Sequence, residues 1–335
     1  MDSLVFWQIL GFSCIVFMFY MYSILDGFDL GAGILIYFVT ENDEGRMTIL
    51  GSILPFWDGN EVWLVLAVST FFAAFPAAYS RLLPAFYLPV IFVISCFIIR
   101  AVSLELSYSG KTRSRLPLPV FAVSSFVAAY SGILFLAFIV SGVPVNENGI
   151  FTLDVKCLLK PLPLVLSAAW LILMLMHSVS YLVRKSYGSL KARLLIVART
   201  LWPVFLVLFA VSIVLLFMKM PAIRARPMVW IGLKATLSGA GLYRFSLSRE
   251  KEKRMFAFSS ISMGGVWIVV SAAMFPNIIS PPGDAAAAMT LFDSSAPLST
   301  LRIVVLSSLV AMAAIIAYTF FVYRIFRNRG GSATY

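Results

Sequence analysis

Asp26, Asp29, Asp58 and Glu61 are the residues of this chain best placed to do chemistry, because each lies in a short motif within an apolar stretch. The motifs are Leu25-Asp26-Gly27-Phe28-Asp29-Leu30-Gly31 and Trp57-Asp58-Gly59-Asn60-Glu61-Val62-Trp63. A carboxylate in hydrocarbon is costly unless it is hydrated, paired or protonated, so such residues are functional candidates by default. Acids spaced i, i+3 share one face of a helix, and each motif therefore presents a double-carboxylate edge. That arrangement suits proton handling inside a membrane.

The elements that must position these acids are membrane helices. The chain is 61% hydrophobic and 12% charged, with a mean hydropathy of +0.95. Apolar runs of about 18 or more residues recur from end to end, the signature of an all-α polytopic membrane protein. About nine helices are expected: 5–38, 48–75, 79–105, 117–143, 161–184, 195–220, 227–245, 254–277 and 299–325. Pro76, Pro161, Pro163 and Pro221 mark boundaries, and Ser280-Pro281-Pro282-Gly283-Asp284 begins the longest loop. The N-terminus lacks the basic region and cleavage site of a secretory peptide, so the first segment reads as a retained helix.

The net charge of +11 comes from basic residues in short loops rather than on a soluble face, which argues against nucleic-acid binding. One set of alternate loops carries Arg46, Lys111, Arg113, Arg115, Arg184, Lys185, Lys191, Arg193, Arg244, Arg249, Lys251, Lys253, Arg254, Arg324, Arg327 and Arg329. The other carries about half as many, including Arg81, Lys156, Lys160 and Arg302. This bias puts the N-terminus outside and the C-terminus in the cytoplasm.

At about 1.5 Å per residue, position along a helix gives depth. Asp26 and Asp29 fall near the cytoplasmic boundary. Asp58 falls about 14 Å into a second helix starting at residue 48, close to mid-membrane, with Glu61 a turn farther. Arg100 and Glu105 return toward the cytoplasm on the third helix. The outcome is a ladder of acids that stops midway, suited to delivering protons to chemistry there. No acid lies within an expected helix of the second half.

Each residue also has a plainer reading. Asp29 could be an interfacial acid, Asp26 could bond within its own turn, and Glu61 could meet another subunit. Arg100 and Glu105 could form a structural pair. His177, the single histidine, reads as a hydrogen-bonded packing residue. Cys14, Cys96 and Cys157 form no CxxC pair and read as small buried hydrophobes rather than metal or disulfide partners. With one histidine, the chain is a poor carrier of several haems.

Together these residues resemble subunit II of cytochrome bd quinol oxidases. The first two motifs carry the resemblance. Phe72-Ala73-Ala74-Phe75-Pro76 with Tyr79, Arg100, and His177 followed by Tyr181-Leu182 extend it. Met274-Phe275-Pro276 and Leu291-Phe292-Asp293 with Ser294, Ser295 and Leu298 complete it.

The resemblance implies two four-helix bundles plus one peripheral helix: a first bundle about 1–145, a second about 155–280, and the last helix about 299–325. It also implies a partner, subunit I, that holds two haems b and haem d, oxidises quinol and reduces dioxygen, with no cofactor or metal bound by this chain alone. A small single-helix subunit is a further partner the family admits. In the family, acids of subunit II help bring cytoplasmic protons to the oxygen site. By position Asp29 and Asp58 match best, then Asp26 and Glu105, whereas Glu61 falls where relatives can carry Gln. The stretch between the sixth and seventh helices is shorter than in many relatives, which puts a bound quinone or lipid there in question. The expected setting is a bacterial inner membrane, and turnover would build membrane potential without pumping. Two rivals stand beside this reading: an ion-coupled secondary transporter, which should show paired broken helices in both halves, and a purely structural partner subunit.

Overall fold

The computed structural model describes residues 3–109, 116–146, 151–152, 159–279 and 288–326. Lys111, Arg113, Arg115, Lys156, Cys157, Arg327, Arg329 and the start of the 280–284 loop lie outside the described residues. The order is α1 (Ser3–Val39), α2 (Asp43–Ile53), α3 (Trp57–Ala74), α4 (Pro76–Ser109) and α5 (Pro117–Ser141), then α6 (Pro161–Val183) and α7 (Gly188–Lys219). A 3-10 turn (Pro221–Ala225), α8 (Pro227–Ser248), α9 (Glu252–Met274), β1 (Asn277–Ile279), β2 (Met289–Thr290), α10 (Leu291–Ser294) and α11 (Leu298–Ile325) follow. The two strands form a small antiparallel pair.

Local chemistry sets the boundaries. Helices α4, α5, α6 and α8 each open on proline, whose missing N–H costs nothing in a first turn. Asn42 caps α2, its Oδ1 accepting from the Gly45 N–H at 2.9 Å, with Asp43 and Glu44 in the first turn.

Seven helices among the described residues are long and apolar enough to cross a membrane. Helices α3 and α8 are 18 and 22 residues long but are not among the seven. In α3 the polar Asp58, Asn60 and Glu61 crowd the first turns. Most expected helices recur with small shifts at their ends, although the sixth starts seven residues early, at Gly188 rather than 195. The expected second helix, 48–75, is a correction: it is two helices, broken at residues 54–56. Pro55 lies in the break and has no N–H to continue the ladder. Glu252 is a smaller correction, since it lies in the first turn of α9 and pairs with Lys191.

Helix α1 is the hub. It packs on α3, α5, α6, α9 and α11, and every residue from Leu25 to Ile36 is buried. A helix buried on all sides of its circumference needs close neighbours and small residues. Gly31 provides one such approach: a Cβ there would stand 2.5 Å from the Ser178 Cβ of α6. Helices α8 and α9 approach backbone to backbone, because a Cβ on Gly232 would lie 2.7 Å from the Gly265 carbonyl oxygen. Cys14 and Cys96 are buried and unbridged.

Candidate functional site: a buried carboxylate cluster around Arg100

The cluster forms where α1, α3 and α4 meet. Arg100 of α4 is fully buried. Its Nη1 donates to Oε1 of Glu61 at 2.5 Å and its Nη2 to Oδ1 of Asp26 at 3.4 Å. The planar guanidinium thereby ties three helices with one side chain. Asp26 and Asp29 are fully buried, and the Glu61 side chain is 23% exposed. Asp29 takes a different partner. Nδ2 of Asn60 donates to its Oδ2 at 2.7 Å and to the Leu25 carbonyl at 3.2 Å. Tyr22, one turn before Asp26, lies near that carboxylate.

Three carboxylates thus face one guanidinium, and hydrogen bonding does not complete the set. Oδ2 of Asp26, Oδ1 of Asp29 and Nε of Arg100 are buried with no partner in the chain, three of seven such side-chain atoms among the described residues. Buried polar atoms are normally satisfied, so their concentration at one point marks a place built for something other than packing. A buried excess of acid over base is relieved by protons or water.

The sequence-predicted residues divide. Asp26, Asp29, Glu61 and Arg100 come together. Asp58 and Glu105 are exposed on α3 and α4, and among the described residues neither has a hydrogen bond or ion pair. Helix α3 starts at Trp57, so Asp58 is in its first turn. The contacts of Asn60 with Asp29, and of Glu61 with Arg100 and Asp26, set α3 antiparallel to α1. Asp58 therefore lies farther toward the C-terminal end of α1 than Glu61 does.

His177 is buried away from the acids. Its Nε2 faces the Ile24 carbonyl at 3.0 Å, its Nδ1 faces Oγ of Ser259 at 2.8 Å, and its ring packs on Phe256. With both nitrogens engaged, it does not fit an axial haem ligand. Among the described residues no group of three or more His, Cys, Asp or Glu could hold a metal.

Sequence reasoning missed Asn60 and Tyr323 as members of the site. Asn60 lies inside the second motif, between two acids, where a polar side chain in an apolar helix was the available signal. Tyr323 meets Asn60 across 263 residues of sequence, and nothing in its local sequence indicates that.

These helices and this cluster define a helical membrane protein with a buried ionic centre in its first half. The family model for cytochrome bd terminal oxidase subunit II matches residues 7–326, and the chain belongs to that family. It is 25% identical to the cytochrome bd-I ubiquinol oxidase subunit 2 of Escherichia coli strain K12, over 95% of this chain and 92% of that one. It is 25% identical to a probable cytochrome oxidase subunit 2 of Haemophilus influenzae, over 90% and 89%. The Bacillus subtilis cytochrome bd ubiquinol oxidase subunit 2 is 22% identical, over 96% of each. The fold matches the bd oxidase structure from Geobacillus thermodenitrificans with a TM-score of 0.81, at 15% identity and covering 96% and 98%. The chain is therefore a multi-span subunit of an oxidoreductase complex.

Proposed function

We propose that this chain pairs with a haem-bearing subunit I in a bacterial inner membrane and carries part of the route by which cytoplasmic protons reach the site of dioxygen reduction. Haems b and d in that partner would supply electron transfer and oxygen chemistry. This chain's own residues bind and hand on protons.

The observation that carries the reading is the cluster of Asp26, Asp29 and Glu61 around a single Arg100, with buried carboxylate oxygens left unpartnered. Arg100 is committed to Glu61 and Asp26. Asp29 is held by one neutral amide, so it is the acid freest to gain and lose a proton.

Two exposed stripes support the pairing. On α3, Asp58, Val62, Val65 and Phe72 follow helical spacing, and on α4 so do Ile91, Ile98, Val102 and Glu105. An acid ending an apolar stripe within a membrane must face water or another protein. A partner covering both stripes would receive Asp58 and Glu105 at its surface. In this reading α1 to α5 form the first bundle and α6 to α9 the second, with α11 packed on α1 and α3. The bias of basic residues supports a cytoplasmic C-terminus, and uptake from that side would make turnover electrogenic without a pump. Family membership gives the transporter rival no support.

The test is Asp29→Asn in the assembled oxidase. Oxygen consumption per haem should fall at least about tenfold, as for loss of a proton-transfer group. Unchanged consumption would leave the acids as packing residues. Asp58→Asn should give a smaller loss if the partner covers that carboxylate.

A further inference from the structure

We propose that Tyr323, on the last helix, is a positioning residue for Asp29. This rests on the proton-delivery reading above and adds the residue that orients its acceptor.

The hydrogen-bond directions decide the argument. Nδ2 of Asn60 lies near two pure acceptors, Oδ2 of Asp29 and the Leu25 carbonyl, so its two hydrogens point at them. The Tyr323 hydroxyl lies 3.3 Å from Nδ2 of Asn60 and 3.4 Å from its carbonyl oxygen, and with both amide hydrogens taken it donates to the oxygen. A chain of fixed polarity results: Tyr323 O–H to the Asn60 carbonyl, Asn60 N–H to Asp29. An amide does not readily pass a proton, so this chain orients rather than conducts. It fixes Oδ2 of Asp29 as an acceptor and leaves Oδ1 to exchange.

The Tyr323 ring is itself fixed. It packs on Phe56, at the α2–α3 break, with centroids 4.2 Å apart. Beside it lies a cavity of about 10 Å³ walled by Pro55, Phe56, Asn60, Tyr318 and Tyr323. That is the size of one water molecule, and the Asn60 amide and tyrosine hydroxyl offer it polar partners. The break that interrupts the expected second helix thus leaves a water-sized gap beside Asn60, and α11 closes its outer wall.

The test uses the assembled oxidase, with oxygen consumption per haem measured across pH for the wild type, Asp29→Asn, Tyr323→Phe, Asn60→Ser and the double variant Tyr323→Phe/Asn60→Ser. Tyr323→Phe keeps the ring and removes the hydroxyl. It should lower turnover about threefold on the alkaline limb, where proton supply limits, and little on the acid limb, in line with loss of one neutral hydrogen bond. Asn60→Ser should do the same or more, and the double variant should add nothing to the larger single loss, since both break one link. A Tyr323→Phe profile that overlays the wild type while Asp29→Asn is impaired overturns this inference and leaves proton delivery standing. Unimpaired Asp29→Asn overturns both. If Tyr323→Phe does not assemble, an unchanged alkaline limb in Asn60→Ser is the overturning result.

Discussion

The two halves of this molecule both bury polar side chains in apolar helices, but they satisfy them in opposite ways. Around α6, α8 and α9 the buried groups are neutral and most donate to backbone carbonyls. Ser178 bonds Phe28 at 2.8 Å, Ser180 bonds Met176 at 2.8 Å, and Thr236 bonds Gly232 at 2.9 Å. Ser246 is an exception, buried without a partner. Where α1, α3 and α4 meet, the groups are ionisable, bond one another, and leave oxygens of Asp26 and Asp29 unmatched. A hydroxyl that bonds a carbonyl adds packing specificity at little cost. A carboxylate held short of full satisfaction keeps the capacity to change its protonation. Burial of polarity is therefore a weak pointer to chemistry, whereas burial of unmatched charge is a strong one.

The largest effect should come from removing the one cation. Arg100→Met leaves Glu61 and Asp26 facing each other without compensation, a loss of about 3–5 kcal/mol for a broken buried pair. The expected result is little or no assembled complex, read as haem-containing oxidase recovered from membranes. Arg100→Lys keeps the charge but cannot span both acids with a planar fork, so it should assemble poorly rather than fail outright. Normal yields of Arg100→Met would show that the acids are already neutral and the fork unimportant.

A smaller effect is expected in the other half. His177→Ala removes two buried hydrogen bonds and the contact with Phe256. It should lower thermal stability by about 2 kcal/mol and leave oxygen consumption per assembled complex unchanged. Loss of activity without loss of stability would break the contrast between the halves and place chemistry at His177.

How much of this was legible before any coordinates follows from the same contrast. The helical membrane class and most helix positions were readable because apolar length is a one-dimensional signal. The grouping of Asp26, Asp29 and Glu61 with Arg100 was partly readable, because helical spacing fixes which acids share a face. The break in the second helix was not, since placing Asp58 assumed an unbroken helix through Pro55, whereas α3 starts at Trp57. The role of Tyr323 was not readable at all. It depends on where the last helix docks, and α11 docks through the packing of Leu301, Val305 and Ser308 rather than through any motif.

The smallest effect should be at the second half's own ion pair, which separates charge from burial. Lys191 at the start of α7 pairs with Glu252 at the start of α9, with side chains 33% and 25% exposed. These groups reach water, so their attraction is screened by salt and offset by the entropy of holding two long side chains. Lys191→Ala should change thermal stability by at most about 1 kcal/mol, less at high ionic strength, with oxygen consumption unaltered. The Arg100 fork is made of the same kinds of charge, and its greater predicted weight comes from the full burial of Arg100 and Asp26. If the two substitutions proved equally costly, dielectric setting could not be what distinguishes them, and the cluster at Arg100 would be an ordinary structural bridge.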